Sequence, residues 1–400
     1  MNPIRLAWSN LMHQRVRTFV SLVGVGFAVL LVFMQLGFLG AVYTTANLIY
    51  DQLDFDVMIL SKEYVSLNES SSFLRSRLSQ ARATPGIASA WPLTTTVGLW
   101  RDPNPPPESE ADGARRVWTI LTLAVEPASM DQLFRRSEGT TIFRDEEEFR
   151  RDSSLLARLD TVLVDRSSRP EYGNPALWES LGHNELNGQR VDIGGDIRIG
   201  TGFGYNGLLL TSEETLRRVS GWPEYRITHG LLKIREGYDH EAVAEELRSR
   251  LPDDVTALTR ARLASQEQNY WLMSTASGQF FIAGVLIALI VGCIFVYQMM
   301  AADISKHLPE YATIRALGYR SAYLSRVVYS QGVLLAVVGF LPGLLVSLAC
   351  YEFIYAKSGI PLAMNLPLAV GVLLLTTIMC LGSALLAVRK VQRANPADLF

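Results

Sequence analysis

The sequence is poor in the side chains that most directly announce chemistry. It has three cysteines, Cys293, Cys350 and Cys380, all in or at the edge of apolar runs. None falls in the polar stretch 45–278, so that stretch carries no disulfide and must rely on a core of its own. The five histidines, His13, His183, His229, His240 and His307, are scattered without metal-ligand spacing. No G-x-x-x-x-G-K-[ST] loop is present to cradle phosphates, and no H-E-x-x-H, C-x-x-C or G-x-S-x-G occurs. The acidic run Asp145–Glu148 lacks EF-hand spacing and reads as a solvated helix face. The chain is therefore expected to be non-catalytic, with no catalytic residue, cofactor or metal ligand of its own.

Charge is also missing, and its absence is local. Four apolar runs contain no Asp, Glu, Lys or Arg: Thr18–Tyr43, Gln279–Ala302, Val327–Cys350 and Leu366–Val388. Each reaches the roughly 20 residues that an α-helix needs to cross a bilayer. The spans are expected at 18–44, 279–302, 327–350 and 366–388. Intramembrane carboxylates or bases, the usual mark of an ion or proton path, do not occur in them. Gln35 and Gln298, their most polar side chains, read as interhelical hydrogen bonds or interface residues rather than transport ligands. Small residues recur instead: Gly339 and Gly343 form G-x-x-x-G in the third span, and Gly24, Gly26, Gly37 and Gly40 line the first. Such spacing allows close helix packing. Four helices without a polar lining suit a mechanical frame better than a hydrophilic conduit.

What the spans lack, the rest of the chain supplies unevenly. Residues 45–278 hold 26 Lys+Arg and 35 Asp+Glu, a net of −9, whereas the flanks hold 11 and 4, a net of +7. An acidic block between basic, apolar flanks excludes a nucleic-acid binder and indicates a bilayer protein with a large polar insertion. Ten of the eleven flank cations, among them Arg5, Arg15, Arg17, Lys306 and Arg315, lie on one side of the expected spans; Lys357 is the exception. The positive-inside rule then puts both termini and the 303–326 loop in the cytoplasm, the 351–365 loop and residues 45–278 outside it, and the tail 389–400 back inside. The first apolar run is longer than a signal h-region and reads as an uncleaved anchor. Ahead of it, residues 1–17 read as an amphipathic helix with Trp8 at the interface.

The block 45–278 reads as mixed α and β. Strands are expected at Asp56–Ser61, Arg116–Val125, Thr161–Val164, His229–Ile234 and Val255–Leu258, and helices at Ser70–Ala83 and Asp239–Leu251. The proline cluster Pro103, Pro105, Pro106 and Pro107 marks a loop. The glycine-rich stretch Gly194–Gly207 reads as turns between strands. The two ends look like paired β-α-β pieces of a membrane-proximal lobe (45–100 plus 226–278), with a second lobe inserted at 101–225. The fold class is thus an α+β membrane protein: four transmembrane helices, with a mixed α/β domain between the first and second.

The 303–326 loop holds the most informative segment. Pro309 and Glu310 suit a helix start and Gly318 its stop. Between them Tyr311, Ile314 and Leu317 share a side. So short a helix needs a docking partner.

At this loop, Glu310, Ile314, Arg315, Ala316, Leu317 and Gly318 resemble the E-I-x-x-L-R-A-L-G pattern of the MacB/FtsX-type permeases of ABC systems. The start, Leu6-Ala-Trp-Ser-Asn10 and Arg15-Val-Arg-Thr18, and the ending Asn395-Pro-Ala-Asp-Leu-Phe400 are similar to that family's. Leu308–Thr313 and Phe33–Phe38 resemble its DevC-like branch; Tyr311 departs from the commoner isoleucine. The resemblance implies an inner-membrane permease subunit, a homodimer or pseudo-dimer in the lipid bilayer, bound to a separate cytoplasmic ABC ATPase. Its coupling helix would comprise Glu310, Tyr311, Ile314, Arg315, Leu317 and Gly318. The DevC-like branch implies a periplasmic adaptor and a TolC-like outer-membrane protein. The expected function is export by mechanotransmission; the alternatives are an FtsX-like regulator of a cell-wall hydrolase and a membrane sensor or adhesion receptor.

Overall fold

The computed structural model describes residues 15–69, 71–104, 116–136, 139–140, 142–306 and 321–393. They form two compact units. One is helical and comprises residues up to Ala41, Ala276–Lys357 and the chain from Pro361; the other comprises Val42–Thr275 with Ser358–Ile360.

In chain order the principal helices are α1 (Arg15–Thr45), α2 (Leu48–Gln52), α3 (Ser76–Arg82), α4 (Glu146–Leu156), α5 (Pro175–Leu181), α6 (Glu213–Ser220), α7 (His240–Arg250), α8 (Arg260–Asn269), α9 (Ala276–Lys306), α10 (Ser321–Ser358) and α11 (Leu366–Arg393). Four stretches are long and apolar enough to cross a membrane: Leu22–Thr45, Ala276–Met299, Ser325–Ser358 and Leu366–Leu386. The chain is thus a multi-pass membrane protein, with a mixed α/β domain between its first membrane helix and the rest.

In the helical unit, Val25, Val29, Phe33, Ala288, Val296, Ala336 and Cys380 are among the buried contacts. Gly26 stands against Gly339 and Gly343: a Cβ at Gly343 would lie 2.7 Å from the Gly26 carbonyl oxygen, and one at Gly339 2.7 Å from Val25. Glycine here lets two backbones meet, which matters where no hydrophobic effect drives helix association. Tyr351 donates its hydroxyl to the Phe33 carbonyl, fixing α10 to α1 a second time.

The soluble unit is built on nine strands: β1 (Val57–Ser61), β2 (Ile87–Arg101), β3 (Val117–Val125), β4 (Thr161–Asp165), β5 (His183–Leu186), β6 (Gln189–Ile197), β7 (Leu208–Ser212), β8 (His229–Ile234) and β9 (Val255–Thr259). Their order in the sheet is β9-β1-β8-β2-β3-β7-β4-β6-β5. β5 also pairs back to β2 at Leu186 and Trp100, so six strands close into a ring. The other three continue the sheet from β2 and are antiparallel throughout. Two pairings in the ring, β3–β7 and β4–β6, are parallel. The termini 45–100 and 226–278 supply β1, β8, β9 and nearly all of β2, and residues 101–225 supply β3 to β7; the β2–β3 ladder joins the two sets in one sheet.

Local chemistry explains where elements begin. Asp145 accepts the Glu148 amide and Glu148 returns a bond to the Arg144 amide, so the acidic run is a helix start in capping-box style. Asn174, Ser212 and Asp239 cap α5, α6 and α7 by accepting the amide three residues on.

Two readings of the sequence need correction. The helix expected at Ser70–Ala83 begins only at Ser76, because Phe73–Leu74 pairs with Arg226–Ile227 and the Arg226 guanidinium holds Ser72. Gly194 and Gly195 are not in a turn but in β6. A Cβ there would stand 2.7 Å from Thr161 and 2.6 Å from Asp152, so glycine serves close strand packing.

Candidate functional site

The expected coupling helix, with Glu310, Tyr311, Ile314, Arg315, Leu317 and Gly318, lies outside the described residues, as do most of the N-terminal helix 1–17 and the 394–400 end of the tail. Gly339 and Gly343 are described, and both face α1 as set out above.

Within the soluble unit, the feature that stands apart chemically is a buried polar joint. It gathers the segment that follows α1 and the helix that precedes α9. Arg260 opens α8, whose N-cap is Thr259. Its guanidinium donates to the carbonyls of Tyr50 at 2.7 Å and Leu53 at 2.8 Å. It also lies 5.0 Å over the Phe55 ring. Asn47 donates to the Ala264 carbonyl, one turn further along α8. One short helix therefore grips the chain from Asn47 to Phe55. Lys233 on β8 fastens the same segment from the other side, pairing with Asp54 at 2.7 Å and Asp56 at 3.4 Å.

Near its end α8 points Glu267 inward, where it is fully buried. Its carboxylate accepts the Tyr64 hydroxyl. The Tyr50 and Tyr64 hydroxyls are hydrogen-bonded, and Tyr50 reaches His229 Nε2 at 3.5 Å. His229 Nδ1 pairs with the Thr228 hydroxyl at 2.7 Å. A chain of side chains thus runs from α8 through the loop after β1 and through α2 to β8. Burial drives every ionisation toward neutrality here. It pushes Glu267 up to about 7 and His229 down to about 3. Burial likewise raises both tyrosines, helped by the nearby Glu267 carboxylate.

This arrangement has the members of an acid–base relay but not its access. Tyr50 is 2% exposed and Tyr64 7%, and His229 and Glu267 are sealed, so no substrate meets them. Its chemistry is cohesion: removing one partner of a buried hydrogen bond costs about 1–3 kcal/mol, because the other is left unpaired away from water. Among the described residues, no group of three His, Cys, Asp or Glu side chains is placed to hold a metal ion.

α8 is followed by a π-helical turn, Tyr270–Ser274, before α9 begins. Wide turns of this kind interrupt the regular ladder and often mark positions with a function. The joint is not legible in the sequence. His229 was visible as an isolated histidine, but nothing in the periodicity tells that Tyr50, Tyr64 and Glu267 converge on it.

Known proteins share parts of this chain's sequence and fold. Residues 281–396 match the FtsX-like permease C-terminal family model. Over that range the chain is similar to the C-terminal part of FtsX-like permeases. No curated protein matches it. Among solved structures it is similar to the periplasmic region of MacB from Actinobacillus actinomycetemcomitans, at 13% identity, covering 53% of this chain and 92% of that one, with a TM-score of 0.34. It is also similar to the extracellular domain of the noncanonic ABC-type transporter YknZ from Gram-positive bacteria, at 12% identity, 51% and 98% coverage and a TM-score of 0.32. A domain of a permease protein from Porphyromonas gingivalis aligns at 16% identity, with 52% and 88% coverage and a TM-score of 0.28.

Proposed function

We propose that this chain is the permease subunit of an ABC-type exporter that works by mechanotransmission. The observation that carries the reading is the FtsX-like permease domain, on a chain without a phosphate-binding loop. ATP is hydrolysed by a separate cytoplasmic ATPase, and two copies of this chain sit in the inner membrane with both termini inside and the soluble unit in the periplasm. Glu310–Gly318 is the element that the ATPase moves, with Tyr311, Ile314 and Leu317 as its apolar contacts and Arg315 as its charged one. Movement of the helices then reaches the periplasmic unit, which acts on cargo through an adaptor and a TolC-like duct, as the DevC-like motifs suggest.

The joint supports this reading. Mechanotransmission requires the segments that leave α1 and enter α9 to move together. Arg260, Asn47 and the Tyr50–Tyr64–Glu267 chain fasten those segments to one another inside the soluble unit.

The test is reconstitution of the full chain with the ATPase and the adaptor. Arg315→Glu and Leu317→Asp should each cost about 2 kcal/mol of ATPase binding, roughly thirtyfold in Kd, and export should fall in parallel. Expression and membrane insertion should persist. Full ATPase binding and export by both variants would reduce the segment to a connector.

A further inference from the structure

The glycine-rich stretch between β6 and β7 has no part in the joint as described, yet three of its glycines sit against the joint's borders. Gly200 has φ +110°, a left-handed value that side chains avoid, and a Cβ on it would lie 2.9 Å from Leu48 on α2. One on Gly202 would lie 2.7 Å from the Cβ of Thr45. One on Gly204 would lie 2.8 Å from the indole of Trp271 in the π-turn. The same few residues thus touch the segment that enters the soluble unit and the segment that leaves it. At each contact the absence of a side chain sets how closely the backbone can lie.

The stretch is also anchored. At its start, the Asp165 carboxylate at the end of β4 accepts the amides of Ile199 at 3.3 Å and Gly200 at 2.7 Å. At its end, the Asn206 carbonyl accepts the Arg169 amide and the Gly207 carbonyl accepts the Leu121 amide, both at 2.9 Å. In the middle, Asn68 donates its side-chain amide to the Gly204 carbonyl. Both anchors belong to the ring of strands. A loop serving only to turn the chain from β6 to β7 needs neither a buried carboxylate at its start nor three close backbone contacts with distant segments.

We propose that residues 198–207 form a strap that carries displacement of the entering and leaving segments, at Thr45–Leu48 and Trp271, into the six-strand ring. The ring is then the driven element of the soluble unit. The use of the strap in transport rests on the permease reading above; the tie itself is a property of the soluble unit.

Hydrogen exchange on the full-length chain in lipid nanodiscs tests the tie without any partner. In the wild type, amides of 48–52, 199–205 and 270–274 should open as one cooperative group. Gly202→Val should raise exchange severalfold in all three, while β4 and β7 remain protected. Asn68→Ala adds no bulk and should produce the same pattern more weakly, which guards against misfolding of the valine variant. Exchange that rises in the strap alone, in both variants, would overturn the proposal. With the ATPase and adaptor added, Gly202→Val should retain ATPase binding and lose export. A wild-type chain that binds no ATPase would defeat the permease reading and leave the exchange result standing.

Discussion

Each of the two units of this chain has its own internal means of cohesion. In the helical unit the closest contacts are backbone and apolar: Gly26 against Gly339 and Gly343, and Val25 and Val29 against the same face of α10. In the soluble unit the position that ties its two chain ends together is polar and sealed, with Glu267, Tyr64, Tyr50 and His229 in one hydrogen-bonded run. Lipid supplies no hydrophobic force between helices, so shape has to do the work there. In water, by contrast, apolar burial is abundant throughout the sheet, and a buried run of directional hydrogen bonds adds specificity of arrangement that apolar packing does not.

The sharpest way to separate the two regimes is pH. The soluble unit's joint holds two buried titratable groups, Glu267 and His229, that act in opposite directions. His229 stays neutral down to about 3, whereas an exposed histidine takes its proton at 6.5. Stability is therefore lost as pH falls from 6.5 toward 3, by roughly 5 kcal/mol over the whole range. Glu267 keeps its proton up to about 7, whereas an exposed glutamate loses it at 4.5. Its contribution is lost as pH rises from 4.5 to 7, by roughly 3 kcal/mol. Between pH 4.5 and 6.5 the two slopes oppose each other. Relative to wild type, Glu267→Gln should gain stability as pH rises from 4.5 to 7, and His229→Gln should gain as pH falls below 6.5. Denaturant unfolding of the soluble unit, followed by tryptophan fluorescence across pH, measures both. Parallel curves for wild type and variants would mean that the joint does not hold these groups neutral.

A smaller effect breaks the other side of the comparison. Gly343→Val puts methyl groups where the Gly26 carbonyl and Val29 now stand. Overpacking of this kind costs about 2 kcal/mol. Detergent-titrated unfolding should show the loss in the helical unit, while the pH profile of the soluble unit stays unchanged.

The smallest effect marks what the comparison leaves out. Lys62 and Asp253 pair at 2.8 Å on the surface, with Asp253 fully exposed. Solvent screens such a pair, and Lys62→Ala should shift the unfolding midpoint by no more than the error of the measurement. A clear loss would show that surface pairing contributes to the soluble unit alongside the buried joint.

The sequence by itself determined the membrane helices, because a run of some 20 uncharged residues has few other uses. It determined the mixed character of the soluble unit, since short β-branched runs and capped, periodic segments obey local rules. It also exposed the permease pattern in the loop after α9. Only the tertiary structure decided that β2 pairs with β5 to close a ring, that Phe73–Leu74 joins a ladder instead of a helix, and that Gly194 and Gly195 lie within a strand. It likewise decided that Tyr50, Tyr64, His229 and Glu267 meet, although 217 residues separate the first from the last. The physical reason is range. Propensity, capping and hydropathy act over a few neighbouring residues. Strand partners and buried polar networks depend on which distant surfaces the whole chain brings together.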